Sequence, residues 1–172
     1  MPLKRLVTPF GAILTDNMCP SWVCGTGLRI DALLTPRGHV TAFDSSLFRT
    51  RTLVEVAHAL RQFFPRVGDC VQHAHPRQIA RALLLRVREL EAALRCSEVF
   101  ATHELIGTTL LLVADETGHA GAWMIDFGVT RGRTQLKHDV PWINGNHEDG
   151  YLIGVRNLIL LLDRLLEEDK WD

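Results

Sequence analysis

Hydrophobic and polar residues recur along this chain with two different periods, and the shorter period marks the strands. Polar and apolar residues roughly alternate over 26–34, which predicts a strand; a turn over 36–38 leads into a short returning strand over 39–43. Two almost wholly apolar stretches, 110–114 and 121–127, predict a second hairpin. Successive residues of a strand point to opposite faces, and here both the odd and the even positions are apolar. We therefore expect both faces of this hairpin to be buried.

The longer period predicts three helices. Residues 52–64 have apolar positions at helical spacing and are followed by Pro65. The segment from Pro76 to about residue 95 begins with the residue that suits a first helical turn. Its apolar stripe consists of Ile79, Leu83, Val87, Leu90 and Leu94. A last helix is predicted over 149–168, so the fold class is α+β, a small antiparallel sheet packed with helices.

The N-terminal residues are predicted to lack regular structure. Pro2, Pro9, Gly11 and Pro20 interrupt them, and we expect residues 1–23 to form an irregular N-terminal extension. No internal repeat or low-complexity linker interrupts the remaining sequence. Residues 24–172 are therefore expected to form one domain.

Composition excludes some functions. Lys and Arg number 19 and Asp and Glu number 20, so no strongly basic surface for nucleic acid is predicted. The longest apolar run, 158–162, is far too short to span a membrane. The four cysteines form no CxxC pair and follow no secretory signal, which favours reduced thiols in an intracellular protein, cytoplasmic or nuclear. Lys4 and Arg5, with no acid before Asp16, leave an organellar location open.

Asp126 is the residue whose position most clearly indicates chemistry. It ends an apolar strand and is followed by Phe127 and Gly128, where the backbone can turn sharply. In phosphotransferases such a rigidly held carboxylate binds Mg²⁺, which bridges phosphate oxygens. The alternative is an Asp that only ends a strand and caps a turn. His73 and His75 form an H-x-H that could bind metal, but no accompanying ligand set has recognisable spacing, which favours a polar loop.

Four ordered motifs around Asp126 resemble the inositol polyphosphate kinases, above all the inositol trisphosphate 3-kinase branch. Residues 100–111 (FATHELIGTTLL) are similar to F-x-x-HE-[VI]-IGSSLL, and 123–128 (WMIDFG) to W-[ML]-IDFG. Residues 136–142 contain H-x-x-PW, and 145–151 (GNHEDGY) are similar to GNREDGY. Together these motifs imply common ancestry with that family.

A looser similarity extends upstream, so that the resemblance covers roughly residues 24–165. GLRID at 27–31 looks like the family's LGFRIEG strand, and FRTR at 48–51 looks like F-K-x-T-[KR]. The resemblance implies the C-terminal lobe of a protein-kinase-like, ATP-grasp-related fold, in which the nucleotide lies between two lobes. The N-terminal lobe is expected to be missing from this sequence.

The resemblance also implies roles for individual residues. Asp126 is expected to bind catalytic Mg²⁺, and Arg29, with Arg49 or Arg51, to contact substrate phosphates. A guanidinium can hold two phosphate oxygens at once, which suits these positions. The alternative for each arginine is a solvent-facing side chain without a ligand.

The C-terminal motifs are expected to be mostly architectural, with a buried Trp, a capped helix and a hydrogen-bonded turn. Their matched residues are His138, Asp139, Trp142, Glu148, Asp149 and Tyr151. Among them, His138 is the one we expect to donate a hydrogen bond to a phosphate.

Departures from the family pattern bear on activity. The motif PxxxDxKxG, with its catalytic Asp and phosphate-binding Lys, does not occur in this sequence. Val129 stands where the family has the Lys that follows IDFG, and His147 stands for the Arg of GNREDGY. Because phosphoryl transfer depends on positioning and charge neutralisation, we expect almost no activity from the chain alone.

Three functions remain open from the sequence. The first is a non-catalytic (pseudoenzyme) structural or interaction subunit, with other protein subunits covering the surface of the missing lobe. The second is an inositol phosphate kinase that uses Mg²⁺ and ATP, its N-terminal lobe supplied elsewhere; if the chain is inactive, no cofactor is expected. The third is a module that binds an inositol phosphate or another polyanion through its arginines, without Asp126.

Overall fold

The computed structural model describes residues 9–15, 26–36, 40–42, 52–67, 74–168 and 171. The strands in these ranges are β1 (Pro9–Thr15), β2 (Arg29–Leu34), β3 (Val40–Ala42), β4 (His103–Leu105), β5 (Thr109–Asp115), β6 (Ala120–Ile125) and β7 (Thr130–Gly132). The helices are α1 (Leu53–Arg61), α2 (Pro76–Arg95), α3 (Glu98–Ala101) and α4 (Tyr151–Glu168). The predicted α+β class is confirmed.

Within the described residues, five strands form an antiparallel sheet in the order β3-β2-β1-β5-β6. The expectation that residues 1–23 are irregular is wrong for Pro9–Thr15, which forms the central strand of this sheet. Pro9 is tolerated because it is the first residue of the strand. β1 is hydrogen-bonded to β2 on one side and to β5 on the other. A strand held by two distant partners leaves little signal in its own sequence.

The long helices begin and end where local signals place them. The helix predicted from Pro76 to about residue 95 is observed as Pro76–Arg95, with the proline in its first turn. Helix α1 ends at Arg61, before the predicted residue 64, and its start carries a capping box between Thr52 and Glu55. Helix α4 begins at Tyr151, two residues after the predicted start.

The core lies between the sheet and the helices. Leu110, Leu112 and Ala114 of β5 are buried, and α2 packs against both β6 and α4. Helix α4 also approaches the backbone before β2 very closely: a Cβ on Gly154 would lie 2.1 Å from the carbonyl oxygen of Gly27. Glycine at this position is therefore what allows α4 to pack against that segment.

A second, two-stranded sheet of β4 and β7 lies beyond the end of β6. The residues between β6 and β7 form a tight turn, in which the Thr130 hydroxyl donates to the Phe127 carbonyl at 2.9 Å. The Ile106 amide donates to the Val129 carbonyl at 3.1 Å, which extends the β4–β7 pairing toward β5. Both sheets therefore meet around the turn that follows Asp126.

The expectation that both faces of the β5–β6 hairpin are buried is wrong for β6. Trp123 is 53% exposed, and Ile125 is exposed as well. β6 is an edge strand, and its alternation places only Met124 and the alanines toward the helices. An apolar run thus predicted the strand but could not distinguish an edge strand from a central one. In the described part of the chain, no helix is long and apolar enough to cross a membrane.

Candidate metal and phosphate site

Asp126 directly follows β6 and has an unusual backbone conformation. Its φ of 62° lies in the left-handed region, which residues other than glycine rarely adopt. The carboxylate is exposed, and one of its oxygens accepts a long hydrogen bond of 3.4 Å from the Gly128 amide. A strained residue costs about 1–3 kcal/mol and is concentrated at functional sites. The Asp126 carboxylate is thus exposed at the junction of the two sheets, where its hydrogen bond within the described residues is the long one from Gly128.

Thr108, directly before the strand next to β6, carries a buried hydroxyl. Thr109 pairs with Ile125, so Thr108 and Asp126 are the next residues on the two strands. Thr108 is 0% exposed, yet its Oγ1 has no hydrogen-bond partner. An unsatisfied buried hydroxyl costs about 1–3 kcal/mol, which a ligand or an ordered water would recover. Nothing in the sequence around Thr108 indicates this role; the pairing of β5 with β6 places the residue opposite Asp126.

These groups suit Mg²⁺ better than a metal held by a full protein cage. The described residues contain no cluster of three or more His, Cys, Asp or Glu side chains. Mg²⁺ is commonly held by one or two carboxylates together with waters and substrate phosphates. The single exposed carboxylate of Asp126 fits that pattern.

Arg29 lies at the same end of the five-stranded sheet as Asp126 but is not in contact with it. Arg29 pairs with Thr15, Thr15 pairs with Thr109, and Thr109 pairs with Ile125. Three inter-strand spacings, about 14 Å in all, therefore separate Arg29 from Ile125. Its guanidinium donates two hydrogen bonds to Asp31, one of them with an N–O distance of 3.0 Å. The predicted phosphate contact of Arg29 remains a prediction, and Arg49 and Arg51 lie outside the described residues.

His138 does not face a ligand, and its predicted phosphate contact is wrong. The side chain is 1% exposed and stacks on Phe100 with the ring centroids 3.7 Å apart. Its Nε2 lies 2.6 Å from the Phe100 carbonyl oxygen, and its Nδ1 lies 2.8 Å from both carboxylate oxygens of Asp149. Both ring nitrogens are thus used within the protein, so none is left for a phosphate.

The residues around His138 join three separate segments. Asp149 accepts hydrogen bonds from the Leu105 amide at 2.9 Å and from the Tyr151 amide at 3.0 Å, at the start of α4. Glu148 accepts from the backbone amides of Lys137 and His138. Although burial opposes the charged form, the hydrogen bond and charge of Asp149 raise the pKa of His138 above its ordinary value. His138, Glu148 and Asp149 are therefore architectural, as was expected for most residues of the C-terminal motifs.

Two smaller expectations have different outcomes. Trp142 is half-buried, whereas a buried Trp was expected.

The His75 side chain accepts a hydrogen bond from the Arg77 amide at 3.2 Å and caps helix α2. His75 thus has an architectural role; His73 lies outside the described ranges.

Comparison with known proteins decides the family. The inositol polyphosphate kinase family model matches residues 23–163. This chain belongs to the inositol polyphosphate kinase family. The family predicted from the four motifs around Asp126 is confirmed.

Curated kinases of this family match the chain over one continuous stretch. Inositol-trisphosphate 3-kinase C of Mus musculus is 38% identical over 144 residues, covering 82% of this chain and 20% of that protein. Inositol-trisphosphate 3-kinase A of Homo sapiens is 44% identical over 144 residues and is covered to 29%. The chain therefore spans less than a third of the length of either relative.

Solved structures of inositol polyphosphate kinases share the fold. An inositol phosphate multikinase has a TM-score of 0.61 at 12% identity, with 92% of this chain and 80% of that chain covered. The multikinase Ipk2 of S. cerevisiae, solved in complex with ADP and Mn²⁺, has a TM-score of 0.61 at 14% identity, with 92% and 78% covered. These likenesses support the α+β kinase fold of the chain.

An exposed apolar strip borders the Asp126 site in this kinase-family chain. It consists of Trp123, Ile125, Phe127 and Val129, each of which is exposed. The Trp123 ring lies over Gly121, where a Cβ would approach a ring carbon to 2.2 Å. The strip runs from the β6 edge into the turn before β7, so it flanks the metal-site candidate along the chain.

Proposed function

We propose that this chain carries the metal-binding part of an ATP- and Mg²⁺-dependent inositol phosphate kinase site, with Asp126 as the protein ligand. The observation that carries the proposal is the exposed carboxylate of Asp126, on a residue with a φ of 62°, opposite Thr108 and its unpartnered buried hydroxyl at the start of the neighbouring strand. Support also comes from the kinase family of the chain and from the fold neighbour solved with ADP and Mn²⁺.

The side chains of this site would act by holding a divalent cation in a fixed position. The Asp126 carboxylate would be a metal ligand, and the buried Thr108 hydroxyl would hold a water beside it. A divalent cation at such a site offsets the negative charge of phosphate oxygens during transfer. The exposed strip of Trp123, Ile125, Phe127 and Val129 would reduce access of water to this site once it is covered.

We further propose that these 172 residues bind metal without transferring a phosphoryl group on their own. They contain no PxxxDxKxG motif, and Val129 provides no cation where the family pattern has Lys. Positioning and charge neutralisation supply most of the catalysis of phosphoryl transfer, so one metal ligand is insufficient. Activity would require the missing groups from another segment or another chain.

Binding of Mn²⁺, followed by electron paramagnetic resonance, tests the metal site. We expect Asp126→Asn to weaken Mn²⁺ binding by about tenfold or more, because a charged ligand is lost. Glu167→Gln is the matched control, since it removes one exposed carboxylate on α4 far along the chain. Equal binding by the wild type and Asp126→Asn would refute the metal site.

A turnover assay tests the second part of the proposal. ATP and inositol trisphosphate are incubated with the wild-type chain and with Asp126→Asn, and formation of phosphorylated inositol is measured. We expect no difference between the two. Turnover by the wild type above that of the variant would show that the chain is a complete enzyme.

A second candidate function, a non-catalytic interaction subunit, is favoured by the exposed apolar strip. Side chains such as Trp123 and Phe127 are rarely grouped on a surface without a partner. Under this candidate, Asp126 has no ligand role, and Asp126→Asn leaves Mn²⁺ binding and nucleotide binding unchanged. The metal titration therefore separates the two functions.

A further inference from the structure

Arg131 is an exposed cation on β7, five residues after Asp126. Glu104 lies directly opposite it in the β4–β7 pairing, but this carboxylate is 3% exposed and accepts a hydrogen bond from Arg133 Nε at 3.1 Å. Arg131 has no ion-pair or hydrogen-bond partner for its side chain in the described part of the chain. Its positive charge is therefore not neutralised by the nearest acid.

Arg131 follows Asp126 across the tight turn that leads from β6 into β7. The Ile106 amide bonds to Val129, and three residues later Thr109 pairs with Ile125. Three extended residues span about 10 Å, and the chain bends at Gly107, so these two points are at most about that far apart. Val129 and Arg131 then lie on one face of the β4–β7 pair, because alternate residues of a strand point the same way.

The space around this segment is open. A Cβ added to Gly132, next to Arg131, would meet no atom within 4 Å, and the same holds for Gly107, next to Thr108. Neither glycine is covered by a neighbouring side chain in the described structure. A phosphate group can therefore approach the backbone on both flanks of the site.

We infer that Arg131 contacts a phosphate of the inositol phosphate substrate and so helps to determine substrate specificity. The inference rests on the proposed function, since the contact matters only if the Asp126 site takes a phosphorylated substrate. Val129, two residues earlier, is apolar and cannot fill this role. The guanidinium of Arg131 can hold two oxygens of one phosphate, and within the described residues no carboxylate forms an ion pair or hydrogen bond with it.

Calorimetric titration of inositol trisphosphate into the chain, with Mn²⁺ present, tests the inference. The variants are Arg131→Gln, which removes the charge, and Arg131→Lys, which keeps the charge but not the planar fork. Arg164→Gln is the matched control, because Arg164 is an exposed arginine on α4, a helix that contributes no residue to the proposed contact. We expect Arg131→Gln to weaken binding by about tenfold, the effect of one lost charge-assisted hydrogen bond, and Arg131→Lys to weaken it less.

Either of two results would overturn the inference: equal affinities for Arg131→Gln and Arg164→Gln, or no measurable binding of inositol trisphosphate by the wild type. The Mn²⁺ titration of the wild type and Asp126→Asn is run separately. If Mn²⁺ binding depends on Asp126 while Arg131→Gln has no effect, the contact is wrong and the proposed metal site stands. If Mn²⁺ binding does not depend on Asp126, the proposed function itself fails.

Discussion

His138 and Asp149 form a buried pair in which the histidine Nδ1 lies 2.8 Å from both carboxylate oxygens. The other ring nitrogen faces the Phe100 carbonyl oxygen, which can only accept a hydrogen bond. An acceptor at each ring nitrogen favours the protonated ring, and the pKa of His138 is raised accordingly. The pair connects the start of α4 with α3 and β4.

The first prediction concerns the dependence of stability on pH. Because the pKa of His138 is raised in the folded protein, its stabilising contribution is complete below the unfolded pKa of about 6.5. The contribution is lost as the pH rises through the raised folded pKa. We expect urea unfolding to show a stability difference between the wild type and His138→Gln that shrinks from pH 6 to pH 9.

The same substitution should reduce stability substantially at pH 6. The substitution removes the buried histidine partner of the Asp149 carboxylate, a loss that costs about 3 kcal/mol. His58→Gln, at an exposed position of α1, is the control and should change the free energy of unfolding little. A loss that is equal at pH 6 and pH 9 would show that the ring is neutral in the folded state.

The second prediction concerns the crossing of Gly27 and Gly154. Alanine favours a helix over glycine by about 1 kcal/mol, yet at Gly154 its Cβ would meet the Gly27 carbonyl oxygen at 2.1 Å. We expect Gly154→Ala to lower the free energy of unfolding by about 2 kcal/mol, because backbone has to move. Gly132→Ala, where a Cβ meets nothing within 4 Å, is the comparison and should be close to neutral. Equal stabilities of the two variants, measured by urea unfolding, would contradict the close packing.

The third prediction separates strain from function at Asp126. Glycine adopts a φ of 62° without strain, so Asp126→Gly should leave the free energy of unfolding unchanged or raise it by up to about 1 kcal/mol. The same variant should lose Mn²⁺ binding. Thermal unfolding and the Mn²⁺ titration measure the two effects. A clearly destabilised variant would mean that the carboxylate supports the fold instead of a ligand.

The fourth prediction concerns Arg29. If this residue contacts a substrate phosphate, Arg29→Gln weakens inositol trisphosphate binding by about tenfold. The variant also removes the guanidinium from the nearly buried Asp31, which we expect to lower stability by about 1–2 kcal/mol. The double variant Arg29→Gln/Asp31→Asn should recover stability without recovering binding. Recovery of both would show that Arg29 acts only through Asp31.

Part of this site was predictable from the sequence, and part was not. Asp126 stood out because an apolar strand followed by Phe127 and Gly128 is a local pattern. Thr108 gained its place only through the pairing of β5 with β6, which aligns it with Asp126. His138 was assigned to the wrong role because its motif does not reveal that the ring points into the core toward Asp149.

The sequence by itself determined the family, the α+β class and helix α2, because motifs and helical periodicity are short-range features. Tertiary structure decided the place of β1, since hydrogen bonds to β2 and β5 form that strand despite Pro9 and Gly11. It also decided which apolar residues stay exposed, because Trp123 lies on an edge strand, which its own sequence cannot show. Long-range pairing and burial depend on distant segments, and no local pattern contains them.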